Sequence, residues 1–373
     1  MKIYLVAGEA SGDEHGAALM RSLRGLAPET EFFGRGGPRM KAVAGAAFSD
    51  WIDAAAVMGL WEVLKHYPFF RREFAAALDE IAVINPDAVV LIDYPGFNLR
   101  LARTLHARAQ HPRIIYYISP QVWAWHRGRI AQMAAYLDLM LCIFPFEADL
   151  YNRSGLRTIF VGHPMLENLA SRRTGEVRDA NLVGLFPGSR AREVKKHFPI
   201  MLGAAAEIAR QRDETRFEVA AASEPLAREI ENLVSGSSLK DRIRIATGDS
   251  TGAMQRCYAG LVASGTATLE AAYFRMPFVL IYKLAWPTYL AGRVLLRTPY
   301  VGMPNVLADR KIVPEFLQNE ARPPAIASVV LELMKDSPRR RQMLADFDEV
   351  IAQLGETGAS EKAARAILAE LQN

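Results

Sequence analysis

Short apolar runs alternate with helical patterns along almost the whole chain, and this alternation limits the fold more than any other feature. In the first half the apolar runs are KIYLV, EFFG, AVVLID, RIIYYIS, LMLCIF and TIFVG. Runs that are apolar at nearly every position are typical of parallel strands covered by helices on both faces. Helical patterns between them, such as residues 70–84 and 99–110, complete βαβ units.

The alternation lapses in a polar stretch within residues 162–179 and restarts with NLVGLFPGSR, RFEVAAA, RIRIA, GLVAS and PFVLIY. A chain of 373 residues is also too long for one ordinary core. We therefore predict an α/β fold of two doubly wound, Rossmann-like domains that face a cleft, with ligands at the carboxyl ends of both sheets. The first domain spans residues 1–168 and the second residues 169–350. Residues 351–373 form a helical tail that could pack back on the first domain.

Composition narrows the class of protein. Half of the residues are hydrophobic and 23% are charged, which is typical of globular proteins. The net charge of +4 is small for a nucleic-acid binder but suits an anionic small molecule or a lipid head group. The two cysteines, Cys142 and Cys257, lie in apolar stretches, which predicts buried free thiols in a reducing compartment.

Neither the first apolar run nor the longest apolar region predicts a membrane span. The first apolar run stops at Gly8 and Glu9, so it does not resemble a signal peptide. The longest apolar region, residues 278–292, is interrupted by Lys283 and Pro287. We expect a cytoplasmic protein, or one attached only to a membrane surface.

Two stretches in the second half resemble anion sites at helix starts. In LFPGSR a strand ends at Gly188, Ser189 and Arg190, where a glycine allows close approach, a serine can cap the helix and an arginine can bind phosphate. In GLVASGTATLE a strand ends at residues 264–267, and Glu270 follows one turn later, where it can accept bonds from a ribose. A capped helix that binds nothing is the alternative for the second stretch.

Ten ordered motifs carry a specific resemblance over residues 3–320: AGEASGD, GGPRM, MGLWEVL, LIDYPGFN, YYISPQVWAW, FPFE, VGHPM, LFPGSR, SGTATLE and MPNVLADR. The chain resembles the lipid-A-disaccharide synthase family, glycosyltransferases with the two-domain GT-B fold. The resemblance implies transfer of 2,3-diacylglucosamine from its UDP derivative to 2,3-diacylglucosamine 1-phosphate, giving a β-1,6-linked disaccharide and UDP. It implies no metal and no other cofactor, and it implies contact with the cytoplasmic surface of the inner membrane.

The resemblance also implies roles for residues of the second domain. The UDP site comprises Gly188, Ser189, Arg190, Ser264, Gly265, Thr266, Ala267, Glu270 and Asn305, the last within MPN. The D-x-D at Asp346 and Asp348 lies in a helical tail, where we interpret it as surface charge.

The first domain is expected to hold the acceptor. Asp93 follows a buried strand and is a candidate general base, with Glu9 as its rival. Asn98 orients the acceptor or caps the helix at Leu99. In AGEASGD we expect Ser11, Gly12 and Asp13 to bind sugar hydroxyls, or the turn to be purely structural.

Residues 57–74 mix apolar and basic side chains. We expect them to contact membrane or acyl chains through Met58, Leu60, Trp61, Leu64, Phe69 and Phe70, unless the segment is an ordinary amphipathic helix turned into the core. Residues 285–303 show the same mixture. His126 stands where the family commonly has a basic residue, so a phosphate contact could be shared among His126, Arg127 and Arg129.

Three other functions remain open. A UDP-sugar 2-epimerase would share the fold but would need no lipid surface. A nicotinamide dehydrogenase is disfavoured because no G-x-G-x-x-G follows the first strand of either domain. A nucleotide-binding scaffold without catalysis leaves Asp93 unexplained.

Overall fold

The computed structural model describes residues 1–52, 67–122, 128–283 and 298–372. The chain divides into two compact units, one formed by Met1–Glu167 with Leu354–Asn373 and the other by Asn168–Gln353. Each unit contains one parallel sheet with helices between its strands, which confirms the predicted α/β class with two doubly wound sheets.

The sheet of the first unit has seven strands in the order β3-β2-β1-β4-β5-β6-β7. Their bounds are β1 Lys2–Ala7, β2 Glu31–Gly36, β3 Phe48–Asp50, β4 Ala88–Ile92, β5 Arg113–Tyr117, β6 Leu139–Cys142 and β7 Thr158–Phe160. The central strands β1 and β4 pair in parallel, with Ile3 opposite Ala88 and Ala7 opposite Ile92. Every residue of β4 is buried, which is why its sequence is apolar without alternation.

Helices flank this sheet: α1 Ala10–Leu26, α2 Pro38–Ala44, α3 Tyr67–Ile84, α4 Pro95–His106, α5 Gly128–Tyr136, α6 Pro145–Asn152 and α7 Met165–Ala170. The last of these crosses the boundary between the units. The end of the chain returns to the first unit, where His163 N–H donates to the carbonyl of Leu354 at 2.9 Å. Arg157, which directly precedes β7, forms an ion pair with Glu370 near the C-terminus.

The sheet of the second unit has six strands in the order β10-β9-β8-β11-β12-β13. Their bounds are β8 Asp179–Phe186, β9 Arg216–Ala221, β10 Ile243–Thr247, β11 Cys257–Ala263, β12 Phe278–Tyr282 and β13 Glu315–Leu317. Its helices are α8 Ala191–Gln211, α9 Glu224–Ser235, α10 Ser250–Arg256, α11 Ala267–Tyr273, α12 Met303–Ala308, α13 Pro323–Leu333 and α14 Pro338–Gln353. Helix α15, Ala359–Gln372, belongs to the first unit and packs on α1.

Three predictions about individual residues can be checked against this fold. Cys142 and Cys257 are both buried free thiols, as predicted. The interpretation of the D-x-D as surface charge is wrong for Asp346, which is buried and accepts bonds from Arg310 and Gln342. Asp348 is exposed and pairs with Arg275.

Among the described helices none combines the length and the hydropathy that crossing a bilayer requires.

Candidate active site

The first sheet reverses its strand order between β1 and β4, which we call the first switch point. Such a reversal leaves a crevice at the carboxyl ends of the two strands. The turn after β1 consists of Gly8 and Glu9, and the turn after β4 consists of Asp93 and Tyr94. The Tyr94 ring lies so close to Gly8 that a Cβ on Gly8 would overlap it. The fold thus brings together the two carboxylates predicted as rival bases.

Asp93 occupies an unusual main-chain conformation. Its φ is +45° and that of Tyr94 is +50°, so two consecutive residues other than glycine are left-handed. Helix α4 begins directly afterwards at Pro95. Pro95 and Gly96 form the first turn of this helix.

Burial raises the pKa of Asp93 to about 6, and the negative charge of Glu9 contributes to the rise. The main-chain N–H of Tyr94 donates to the carboxylate and opposes the shift. A carboxyl group with a pKa near neutrality can both accept and release a proton under physiological conditions. Glu9, in contrast, is exposed.

Asp93 lines a cavity of about 480 Å³ at the carboxyl ends of β4, β5 and β6. Arg129 of α5 supplies a cation to the same wall, and Ser119 and Gln121 supply polar groups. The remaining lining residues are Pro95, Ile118, Pro120, Val122, Ile143 and Phe144. His126 and Arg127, predicted to share a phosphate contact with Arg129, lie outside the described residues.

The prediction for Ser11, Gly12 and Asp13 placed them in a turn, but all three belong to the first turns of α1, which begins at Ala10. The Asp13 carboxylate is buried and accepts main-chain N–H bonds from Gly37, Arg39 and Met40 at 2.9–3.0 Å.

Asp13 therefore caps α2, and assigning it to sugar hydroxyls is wrong because main-chain donors already occupy its carboxylate. Gly12 is buried, and a Cβ there would lie 3.3 Å from Ala7, so it serves packing of α1 on β1. Ser11 is exposed.

Asn98 is fully buried inside α4 and does not cap a helix at Leu99. Its Nδ2 donates to the main-chain carbonyls of Asp93 at 2.7 Å, Ile92 at 3.2 Å and Val6 at 3.5 Å. The Nδ2 donors of Asn98 are thus used on the ends of β1 and β4, and orientation of the acceptor by Asn98 stays a prediction.

The second sheet reverses its strand order between β8 and β11, which we call the second switch point. Gly188, Ser189 and Arg190 follow β8, and α8 begins at Ala191. Gly188 has φ +111°, and a Cβ there would overlap the Glu193 side chain, so this position requires glycine.

The predicted serine cap is absent from this helix start: Arg190 occupies the N-cap position, and the Ser189 N–H donates to Glu193 Oε2 at 3.1 Å. Arg190 extends from the turn with its side chain 57% exposed and lies 3.4 Å from Glu193.

Ser264, Gly265 and Thr266 follow β11, and α11 begins at Ala267. Gly265 has φ +141° and is exposed, whereas Thr268 Oγ1 donates back to the Gly265 carbonyl at 2.8 Å. Burial raises the pKa of Glu270, and the nearby charge of Arg172 opposes this rise. These residues and the turn after β8 occupy the crevice where open α/β sheets bind ligands.

Asn305 does not belong to this group. It is fully buried, its Nδ2 donates to Val313 O and Glu315 Oε1, and its Oδ1 accepts from Ile312 and Val313. All of the hydrogen-bonding capacity of an asparagine side chain is thereby used inside the unit. The prediction that Asn305 contacts UDP is wrong for this reason.

Four of the residues predicted to contact membrane or acyl chains, Met58, Leu60, Trp61 and Leu64, lie outside the described residues. Phe69 and Phe70 are half-buried at the start of α3, with their rings 5.4 Å apart. Phe69 also packs against Trp51 at 6.4 Å, next to the core of the first unit. For these two residues the observed packing is that of the alternative, an amphipathic helix turned towards the core.

Sequence reasoning missed Tyr116, Ile118 and Tyr94. Tyr116 is fully buried, and its hydroxyl donates to the Asp93 carbonyl at 2.6 Å. Ile118 directly follows β5, has φ +65° and lines the cavity beside Asp93. A tyrosine within an apolar strand is the one signal that could have indicated Tyr116, because a buried hydroxyl needs a partner.

Comparison with known proteins agrees with the geometry. The family described as Lipid-A-disaccharide synthetase matches residues 3–369. The lipid-A-disaccharide synthase of Myxococcus xanthus is 37% identical over 375 residues, covering 98% of this chain and 97% of that protein. The enzyme of that name from Geobacter sulfurreducens is also 37% identical, covering 98% and 96%.

Solved structures show the fold at much lower identity. The calicheamicin glycosyltransferase CalG4 is 16% identical with a TM-score of 0.61, covering 100% of this chain and 98% of its own. The UDP-GlcNAc 2-epimerase of Neisseria meningitidis is 11% identical with a TM-score of 0.60, covering 100% of both chains. The 2-epimerase alternative thus shares the GT-B fold and is not favoured, whereas the family match covers nearly the whole sequence. The chain belongs to the lipid-A-disaccharide synthase family of glycosyltransferases.

Proposed function

We propose that this protein joins UDP-2,3-diacylglucosamine to 2,3-diacylglucosamine 1-phosphate with inversion, and that Asp93 is the general base. The 6-hydroxyl oxygen of the acceptor forms a bond to the anomeric carbon while the bond from that carbon to the diphosphate breaks. The hydroxyl proton passes to Asp93, and the bonding electrons leave with UDP. Attack from the face opposite the leaving group gives the β-1,6 linkage.

The observation that carries this proposal is the Asp93 carboxyl group at the first switch point, with a pKa of about 6 beside a 480 Å³ cavity. Deprotonated Asp93 is the active form of a base, so turnover should rise as the pH increases through about 6. Arg129 on the cavity wall is placed to neutralise the 1-phosphate of the acceptor.

The UDP site is proposed at the second switch point. The turn after β8 supplies main-chain N–H groups and Arg190, and the turn after β11 supplies those of residues 264–267. Gly265 has a positive φ and an exposed main chain that can approach a diphosphate, whereas the Glu193 side chain lies against Gly188 and Ser189. Glu270 follows as the acceptor for the ribose hydroxyls. Helix starts and a guanidinium group stabilise the charge that develops on departing UDP.

Attachment to the cytoplasmic surface of the inner membrane is part of the same proposal, because both substrates carry acyl chains. Arg71 and Arg72 are exposed at the start of α3. Exposed cations are attracted to anionic lipid surfaces. Flotation with vesicles containing anionic lipid, compared with neutral vesicles, tests the attachment, and equal failure to float with both would contradict it.

The reaction itself is tested by mass spectrometry of products from the purified protein and the two named substrates. The expected products are a tetra-acylated disaccharide 1-phosphate and an equal amount of UDP. If folded protein that binds UDP consumes neither substrate, the lipid assignment is wrong, and conversion of a single UDP-sugar to its 2-epimer becomes the next assay. A product formed at full rate by Asp93→Asn would transfer the role of base to Glu9.

A further inference from the structure

Two adjacent strands of the first sheet end in left-handed residues that are not glycine. Strand β4 is followed by Asp93 and Tyr94 with φ +45° and +50°, and β5 is followed by Ile118 with φ +65°. A β-branched residue at positive φ is a strong outlier. Such residues persist only where the surrounding structure over-determines them, and they cluster at functional sites. Asp93 and Ile118 line the same cavity.

The main chain of Asp93 is held from two directions. Its N–H donates to the carbonyl of Tyr117 at 3.0 Å. Its carbonyl accepts two bonds, from the Tyr116 hydroxyl at 2.6 Å and from Asn98 Nδ2 at 2.7 Å. Both side-chain donors are fully buried, so neither can reach a substrate in the cavity.

The Tyr116 hydroxyl contacts Asp93, whereas the hydroxyl of the next residue, Tyr117, does not. Both Tyr116 and Tyr117 are fully buried on β5, and alternate residues of a strand point to opposite faces. The Tyr117 hydroxyl faces Ser360 of α15 instead. A phenylalanine would fill either space, and only at Tyr116 does the hydroxyl contact the residue that we assign as the base.

Asn98 acts from the opposite side through α4. Its Nδ2 donates to carbonyls at the ends of β1 and β4, while its Oδ1 is buried and makes no hydrogen bond to any described atom. An unsatisfied buried acceptor is unfavourable. The Asn98 side chain is thus oriented so that its Nδ2 donates to the carbonyl groups while its Oδ1 stays without a hydrogen bond to any described atom.

We propose that Tyr116 and Asn98 are positioning residues that hold Asp93 in its left-handed conformation and so aim its carboxylate into the cavity. This inference rests on the proposed function, in which Asp93 accepts the proton. Without the two donors, the strained turn relaxes towards commoner φ values, and the carboxylate swings away from the acceptor hydroxyl. A displacement of about 1 Å at a reacting group can cost about a hundredfold in rate.

The first test compares Tyr116→Phe with Tyr117→Phe as a matched control on the same strand. We expect Tyr116→Phe to lower kcat roughly tenfold or more. The KM for each substrate and the Kd for UDP should stay unchanged, because no contact to a ligand is removed. Tyr117→Phe should match the wild-type kcat.

A second readout separates positioning from a merely structural role. Burial and the charge of Glu9 raise the pKa of Asp93, and the Tyr94 N–H opposes the rise. Two further groups face Asp93: Arg129 lies on the cavity wall, and the Tyr116 hydroxyl contacts the Asp93 carbonyl. A carboxylate freed from its buried position gains water, so its pKa falls towards the ordinary value. The acid limb of the kcat/KM profile should therefore move to lower pH in Tyr116→Phe and remain in place in Tyr117→Phe.

Asn98→Ala provides an independent variant, with its unfolding midpoint measured alongside because Asn98 also braces two strands. Its kcat should fall at least as far as that of Tyr116→Phe, and the double variant should show less than the product of the two effects.

Equal kcat and equal pH profiles for Tyr116→Phe and Tyr117→Phe, with Asp93→Asn inactive, would overturn positioning and leave the proposed function intact. Full turnover by Asp93→Asn would overturn both.

Discussion

The two switch points share a topology but carry opposite chemistry. In the first unit the strands that flank the reversal are followed by the carboxylates Glu9 and Asp93. In the second unit they are followed by Gly188 with Arg190 and by a turn of small residues around Gly265. Positive φ occurs at both places, on an aspartate and a tyrosine in the first unit and on glycines in the second.

This difference shows what each crevice needs from the residue after the strand. A diphosphate is bound mainly by main-chain N–H groups, and in the UDP site that we propose Gly265 leaves the main chain accessible. A base needs a side chain at the strand tip, so the first unit accepts a left-handed aspartate and stabilises it with Tyr116 and Asn98 from behind. We therefore propose proton transfer in the first unit and nucleotide binding in the second.

The largest expected effect is on turnover by Asp93→Asn. Loss of the base should lower kcat by about 10²–10⁴-fold, because general-base catalysis typically contributes that much. The Kd for UDP should be unchanged, since the substitution lies in the first unit. Product formation by mass spectrometry and UDP binding by calorimetry check the two halves of this statement. Glu9→Gln is the matched control and should retain most of the turnover, and the reverse ranking would exchange their roles.

Asn305→Ala should lower stability by about 3 kcal/mol without changing UDP affinity. The substitution leaves the Ile312 and Val313 N–H groups and the Glu315 carboxylate short of a buried partner, and each such loss is costly. Urea unfolding gives the stability, and calorimetry on folded protein gives the affinity. If the affinity fell tenfold at unchanged stability, Asn305 would belong to the binding crevice after all.

Arg190→Ala should show the converse pattern. Its side chain is largely exposed, and its ion pair with Glu193 is long at 3.4 Å, so unfolding should be unaffected. The Kd for UDP should rise about 10- to 100-fold, because a charge-assisted bond to phosphate is worth ~1.5–3 kcal/mol. Lys196→Ala, an exposed cation on the same helix, is the control and should bind UDP as the wild type does. Equal losses in both variants would indicate a general effect of charge rather than a specific contact.

These variants also mark where sequence-based prediction succeeded. The central strands are buried on both faces, so their apolar runs identified them, and the order of motifs identified the family. The edge strands Phe48–Asp50 and Glu315–Leu317 were not predicted, because each is only three residues long and includes a charged residue, whereas the equally short β7 lies within the apolar run TIFVG.

Polar residues were harder to interpret than strands. Asp13 and Asn305 resembled ligand contacts in the sequence, yet both bind main-chain groups inside their own unit. The partners of Asp13 are 24–27 residues away along the chain, so only the folded structure shows that its carboxylate is occupied. The same limit hid Tyr116, whose partner Asp93 is 23 residues away.

The smallest expected effect concerns acid stability and two buried histidines, one in each unit. Burial lowers the pKa of His163 in the first unit to about 3, and the nearby His15 contributes. Burial also lowers the pKa of His197 in the second unit. The ring of His197 contacts Pro187 O at 3.2 Å and accepts the Lys283 N–H at 3.1 Å, so it ties the turn after β8 to the end of β12. His163 Nδ1 accepts only the Met165 N–H among the bonds described.

For His163 the folded pKa lies below the unfolded value of about 6.5. The unfolded chain therefore binds more protons below that value, and stability that is complete above pH 6.5 is lost as the pH falls towards 3. Between pH 7 and pH 5 this single group should account for about 2 kcal/mol. His163→Asn keeps an acceptor for the Met165 N–H and removes the titration, so its urea-unfolding free energy should depend less on pH by that amount. His111→Asn, at an exposed position, is the control. If His163→Asn and His111→Asn lost stability equally between pH 7 and pH 5, the acid sensitivity would have to originate elsewhere, and His197→Asn would be measured to locate it in the second unit.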